Sequence, residues 1–205
     1  MLIIAFDSAT DVATVAVVRD GEPLGERTSR AVRLLADVDE LLAEAVVDPA
    51  DAEGIVVGTG PGSYTGLRIG LVTARVLSLT LDAPVAGVST LDALAAGAPS
   101  ALPVIDARRG EVFTFRDGEP AVERPDALEL SSGATLVGDG AVRYRKDLSG
   151  LGRIPSDDSP LHRVTAVGHV ISADLTPVSP EELVPIYVRE PDAEVRRDLN
   201  PWSRP

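Results

Sequence analysis

Arg-Asp-Gly-Glu-Pro occurs twice in this chain, at residues 19–23 and 116–120, an offset of 97. Asp-Gly between alternating residues is the strongest short signal for a two-residue hairpin, because both central positions of that turn need φ > 0. The flanks repeat as well. Leu2-Ile-Ile-Ala-Phe-Asp7, a polar turn and Ala13-Thr-Val-Ala-Val-Val18 precede the first copy. Leu102-Pro-Val-Ile-Asp106, the turn Ala107-Arg-Arg-Gly-Glu111 and Val112-Phe-Thr-Phe115 precede the second. Both copies read strand ending in Asp, turn, strand, Asp-Gly turn, strand, which is a duplicated β-meander with its boundary between Gly97 and Ala101. The duplication predicts a two-lobed α/β fold, with lobes over 1–99 and 100–190 and a loose, charged, proline-rich tail over 191–205.

Between the two meanders the apolar period changes from 2 to 3.6 and back. Leu34, Leu35, Val38, Leu41, Leu42 and Ala45 predict a helix over 31–47 with an acidic outer face at Asp37, Asp39, Glu40 and Glu44. A strand over 54–58, a second helix over 66–81, a strand over 84–88 and a helix capped by Ser89-Thr90 follow. In the second half the pattern gives a strand near 134–138 and a helix near 161–174.

The formal charge is −13, with 14 acids against 6 bases in residues 1–100 and 18 against 13 in 101–205. A chain acidic in both halves does not grip a nucleic acid backbone by itself, so any role at nucleic acid needs a partner to supply positive surface. There is no cysteine, and Met1-Leu-Ile-Ile-Ala-Phe-Asp7 meets an aspartate too early for a signal sequence, so a cytoplasmic, membrane-free protein is expected.

The stretch Gly58-Thr-Gly-Pro-Gly-Ser-Tyr-Thr-Gly-Leu-Arg-Ile-Gly70 lies where a strand gives way to a helix, the setting of a phosphate cradle. It fits neither phosphate template. Gly62 and Gly66 are separated by three residues and followed by Leu-Arg rather than Lys-Ser/Thr. Ser63 or Thr65 occupies the place of the third glycine of a dinucleotide fingerprint. A tight turn at Pro61-Gly62 with Ser63 or Thr65 as helix cap is the structural alternative. Asp7 and Asp106 fall at equivalent strand ends, where Asp7-Ser8-Ala9-Thr10 either wraps a nucleotide phosphate or has its carboxylate satisfy its own turn. Asp7, Thr10, Gly60, Gly62, Ser63 and Asp106 are the candidate residues of a degenerate nucleotide cleft.

The helix leaving the loop is apolar almost all round, so a second covered face is needed: another chain, or the interior of a large lobe. Gly66, Gly70, Thr73 and Ala74 form a stripe of small residues flanked by Arg68, where a partner helix would approach closely. With Leu77, and with Leu34, Val38 and Leu41 of the preceding helix, they make up the expected partner-binding set.

Ile4-Ala-Phe-Asp7-Ser-Ala-Thr10, Gly60-Pro-Gly-Ser-Tyr-Thr-Gly-Leu-Arg-Ile-Gly70, Gly87-Val-Ser-Thr-Leu91, Ile105-Asp-Ala-Arg-Arg-Gly-Glu-Val112 and Tyr187-Val-Arg189 resemble, in order and over nearly the whole chain, the TsaB family, also called YeaZ. The resemblance implies the actin-like, sugar-kinase-like ATPase (ASKHA) fold. It also implies a non-catalytic subunit of the bacterial machinery that installs threonylcarbamoyl on a tRNA adenosine beside the anticodon. The implied partners are the catalytic subunit TsaD as heterodimer, the TsaE ATPase in the assembled complex, a second copy when TsaD is absent, and tRNA only through the complex. No cofactor is implied as required, and a nucleotide-binding ATPase or small-molecule kinase is the alternative.

TsaD carries Asn-His-Leu-Glu-Gly-His, whose histidines hold a metal. The matching stretch here, Ser89-Thr-Leu-Asp-Ala-Leu94, puts Thr90 and Leu94 at those places, and neither is a useful ligand. The histidines of the chain, His162 and His169, are seven apart rather than at i, i+4. A His common near the start of the first helix in the family is also missing, the chain reading Ser29-Arg-Ala-Val-Arg33 there.

Overall fold

The computed structural model describes residues 1–130, 133–176 and 178–189; the tail expected over 191–205 lies outside the described residues. Strands β1 (Leu2–Asp7), β2 (Ala13–Arg19) and β3 (Glu22–Ser29) form the first antiparallel meander. The turn between β2 and β3 has φ 51° at Asp20 and 85° at Gly21, the two positive values that Asp-Gly supplies. Strand β4 (Gly54–Gly60) adds parallel to β1, and β5 (Val85–Ser89) adds parallel to β4. The resulting order is β3-β2-β1-β4-β5, which places β1 at the centre with every residue buried. Polar β3, with Pro23, Glu26 and Arg27, takes the edge.

Helices α1 (Leu34–Glu44), entered through a 3-10 turn at Ala31–Arg33, and α2 (Tyr64–Leu81) cover the front of this sheet. Leu34, Val38, Leu41, Leu71 and Ala74 pack there on Ile4, Phe6, Val15 and Val17. Ser63 caps α2, its Oγ accepting from the Gly66 N–H at 3.3 Å, and Asp82 ends the helix in the left-handed region at φ 51°. Alternation along β1 and β2 sends Ile3, Ala5, Ala16 and Val18 to the back, where α3 (Thr90–Ala96) supplies Ala93.

The second copy of the repeat folds the same way. Strands β6 (Ala101–Pro103), β7 (Ile105–Arg108), β8 (Glu111–Arg116) and β9 (Glu119–Glu123) follow, with β7-β8-β9 an antiparallel meander. Its Asp117-Gly118 turn has φ values of 52° and 85°. Strand β10 (Thr135–Val137) runs parallel to β6 as β4 does to β1, and helices α4 (Asp139–Arg143) and α5 (Arg145–Leu148) come next. Between β9 and β10 the described residues form only a 3-10 turn, Pro125–Ala127, where the first copy has all of α1.

Strand β6 starts just past residue 100, and the chain after residue 165 packs back on the first sheet. Helix α6 (Ala166–Ser172) packs against β1 and β2 on the back of the first sheet, burying Ala166 among Ala5, Ala16 and Val56. The chain then stays with the first lobe: Val178 N–H donates to the Val85 carbonyl at 3.0 Å, Leu183 enters the front core, and Ile186 N–H donates to Thr59 at 2.7 Å. The reason is exposed apolar area. Seven-residue α3 cannot cover the back face alone, and α6 completes it. The helix expected over 161–174 is correspondingly short, because Pro160 imposes a 3-10 turn and the Thr165 hydroxyl caps α6 through Gly168 N–H at 3.0 Å.

Candidate functional site

The glycine-rich loop after β4 seats the Asp7-Ser8-Ala9 turn of its own lobe. Ser63 N–H donates to the Ala9 carbonyl at 2.6 Å, and Ser8 Oγ donates to the Gly66 carbonyl at 2.8 Å. A Cβ on Gly62 would collide with the Ala9 carbonyl and one on Gly66 with the Ser8 carbonyl, while one on Gly70 would lie 2.8 Å from Ser8 Oγ. The small stripe of α2 therefore faces inward. Of the expected partner-binding set, Leu34, Val38, Leu41, Gly66, Gly70 and Ala74 are buried in the lobe, Thr73 and Leu77 are half-buried, and Arg68 is exposed. Small residues require that something approach closely, but not that it be foreign. Replacing Gly66 with alanine is thus expected to lower the melting temperature of the isolated chain. Overpacking costs about 1–3 kcal/mol, against a gain of about 1 kcal/mol in helix propensity; a raised melting temperature would show that the turn yields.

The face of α2 that remains open is apolar instead of small. Val72, Val76 and Leu79 are 57%, 52% and 72% exposed, at the i, i+4, i+7 spacing of one helical stripe. The 3-10 turn at the start of α1 packs beside α2 and adds Val32 and Leu35, 85% and 56% exposed. Ion pairs of Arg27 with Glu40 and Glu44, and of Arg33 with Asp37 and Glu40, form a polar rim over α1. Val72, Val76 and Leu79 belong to the apolar surround of α2, on the side opposite the small stripe.

A cavity of about 510 Å³ opens between the lobes and gathers Thr10, Gly62, Ser63 and Asp106. Gly60 and Asp7 are not part of its wall. The polar groups of the cavity are largely occupied by one another. Asp106 Oδ1 accepts from Arg108 N–H at 2.9 Å and from the Tyr144 hydroxyl at 3.0 Å, and Oδ2 lies 3.2 Å from Arg108 and 3.4 Å from Arg143. Arg108 also pairs with Asp11, and the Thr10 hydroxyl donates to the Val12 carbonyl at 2.9 Å. Burial pushes the Asp139 carboxyl above the usual carboxylate range, against the pull of the Asp106 and Gly140 N–H groups, with the charges of Asp106 and Asp11 adding to the rise. Over the mouth, Tyr187 stacks on Tyr64 with centroids 5.1 Å apart, and the Arg68 guanidinium lies 4.0 Å from the Tyr64 ring centre. Among the described residues no three His, Cys, Asp or Glu side chains converge as ligands of one ion.

Asp7 does not face this cavity. It is buried beneath the sheet end, where Gly58 of β4 leaves room for its carboxylate. One oxygen accepts from Ala9 N–H; the other accepts from the Thr90 hydroxyl at 2.7 Å and lies 2.8 Å from His169 Nε2. His169 Nδ1 is 2.9 Å from the Thr165 carbonyl, so both ring nitrogens lie near acceptor oxygens, although the Nε2 approach to Asp7 lacks hydrogen-bond geometry. Burial alone would raise the Asp7 pKa. The His169 charge, together with bonds from His169, Ala9 and Thr90, outweighs it and holds the carboxyl below its usual range. Thr90 thus serves Asp7, Leu94 lies in the second-lobe core, and His162 accepts from Gly138 N–H through Nδ1 at 3.1 Å. The spacing from His162 speaks only against His169 as a metal ligand; its contact with Asp7 of the first strand, 162 residues away, leaves no local signal.

A family profile described as TsaD, tRNA N6-adenosine threonylcarbamoyltransferase, matches residues 26–128. An uncharacterized protein of Mycobacterium tuberculosis is 38% identical over 94% of this chain and 93% of its own length. The tRNA threonylcarbamoyladenosine biosynthesis protein TsaB of Bacillus subtilis is 37% identical over 56% of this chain and 54% of its own, so that match spans about half of each. YeaZ from Pseudomonas aeruginosa superposes with a TM-score of 0.75 at 26% identity, covering 91% of this chain and 99% of that one. With the duplicated meander and the Gly-Pro-Gly-Ser-Tyr-Thr-Gly loop set as described, the chain belongs to the TsaB (YeaZ) family and has its actin-like α/β fold.

Proposed function

We propose that this chain works in tRNA threonylcarbamoyladenosine biosynthesis as a non-catalytic subunit that docks on and activates a TsaD-type threonylcarbamoyltransferase. The observation that carries the reading is the open apolar face of Val72, Val76 and Leu79 beside Val32 and Leu35, on two helices whose opposite faces pack on the sheet. A face of this kind, apolar in the middle and ringed by charge, suits a partner helix pair burying about 800 Å² on each side. The same face serves a second copy when the TsaD-type subunit is absent. A TsaE-type ATPase joins the assembled complex, and tRNA is held by the assembly rather than by this acidic chain.

The kinase or ATPase reading is supported by a cavity between the lobes. Against it, the turn that would wrap a phosphate has its groups committed: Ala9 N–H to Asp7, Ala9 carbonyl to Ser63, and Ser8 Oγ to Gly66. No nucleotide is therefore required in this reading. The test is reconstitution. The purified chain supplied with threonylcarbamoyl-adenylate and tRNA should form no modified adenosine, and adding a TsaD-type subunit should yield a co-purifying complex with activity. Turnover by the chain alone, or failure of the two proteins to associate, would overturn the proposal.

A further inference from the structure

The helix that carries the open apolar face and the helix that carries His169 lie on opposite sides of one sheet, α2 in front and α6 behind. The central strand joins them at its end. Asp7 closes β1, and the Ser8-Ala9 turn beyond it is the seat on which the first turns of α2 rest, with Gly62 and Gly66 bringing backbone against backbone and Gly70 making room for the Ser8 hydroxyl. That turn is pinned by Asp7, whose carboxylate holds Ala9 N–H, and Asp7 is pinned from behind by His169 and by Thr90 at the start of α3.

We propose that His169 is a positioning residue for α2: the ion pair at the back of the sheet fixes the Asp7-Ser8-Ala9 turn, and the turn fixes the register and tilt of the docking helix in front. Removing the imidazole leaves the buried carboxylate without the ring nitrogen that lies 2.8 Å from it. The carboxylate must then rotate toward water or take up a proton, and either change loosens its hold on Ala9 N–H. Little lies between the turn and α2 to absorb the displacement. Ser63 N–H bonds the Ala9 carbonyl and the short Ser8 hydroxyl bonds the Gly66 carbonyl, so the close-packed helix start moves with the turn. Strand β1 thereby links α6 to the helix that carries the open face, beside the direct contacts that Leu183 and Tyr187 make with α2. The consequence for docking rests on the partner reading above; the positioning of α2 does not.

The test compares amide exchange in residues 67–71 with exchange in residues 15–18 of β2, in the full chain and in His169→Gln, alongside affinity for a purified TsaD-type subunit. Exchange in 67–71 should accelerate about tenfold more than in 15–18, and the affinity should fall about tenfold although no residue of the open face has changed. Equal acceleration in both segments, or none in 67–71, would mean that His169 only stabilises the fold and would overturn the proposal. Local acceleration with undiminished affinity would overturn its docking consequence. If the His169→Gln chain does not fold, Thr90→Val, which removes only the 2.7 Å hydroxyl bond to Asp7, gives the same comparison with a smaller difference in the same direction. Absence of any affinity in the unmutated chain would count against the partner reading alone, because the exchange comparison is independent of it.

Discussion

Replacing Val76 and Leu79 together by aspartate is expected to abolish association with a TsaD-type subunit while leaving the melting temperature of the isolated chain unchanged. Both side chains are more than half exposed, so the folded monomer loses little, within about 0.5 kcal/mol for each surface change. In a complex the same positions lie in the apolar centre of the contact. Two uncompensated carboxylates there cost at least ~4 kcal/mol, about a thousandfold in Kd. Analytical ultracentrifugation with calorimetry on the two proteins measures both quantities. A complex that survives the double change places the docking face elsewhere. A melting temperature that falls with it would show that these residues are core.

The largest expected loss of stability comes from His169→Ala. The imidazole is fully buried and pairs with an equally buried carboxylate, and breaking such a pair costs about 3–5 kcal/mol, because the remaining charge has no solvent. The pH dependence follows from Asp7. Its folded-state pKa is lowered, so its contribution is complete above the unfolded value of about 3.9 and is lost as pH falls through the folded value. Urea unfolding should therefore show the full deficit of the variant near pH 7 and a shrinking deficit below about pH 4. A deficit that stays constant to pH 3 would mean that the variant acts through lost packing and not through the charge pair.

Much of this architecture was legible because it depends on local chemistry. The Asp-Gly pair at each end of the repeat dictates the same two positive φ values, and the equivalence of the two meanders follows from five residues and their flanks. Helix α2 was equally plain from period and cap. What sequence could not decide was direction. An apolar helix with a small stripe has two faces that need covering, and nothing within its own residues says which meets the sheet. Here the turn after β1 claims the glycines, and the valines are left outside. The candidate cleft residues are gathered only in part, for a similar reason. Thr10, Gly62, Ser63 and Asp106 line it because short turns bring them there. Asp7 is drawn away by a histidine on a seven-residue helix whose position on the first sheet no periodicity reveals. The return of α6 was hidden because its demand arises from the sheet, as uncovered apolar surface, rather than from α6 itself.

That return sets an order of events when the protein is made. A ribosome releases β1 to β5 early, and most of the front of their sheet can close once α1 and α2 are free, with Leu183 still to come. The back cannot. Ile3, Ala5, Ala16 and Val18 wait for residues 166–172, and Asp7 has only Ala9 N–H and the Thr90 hydroxyl until His169 emerges, so the nascent first lobe is a half-dressed sheet for most of translation. Fragments ending near residue 100 should accordingly be clients of chaperones rather than small stable proteins, and the chain acquires its docking face only when nearly all of it has been synthesised.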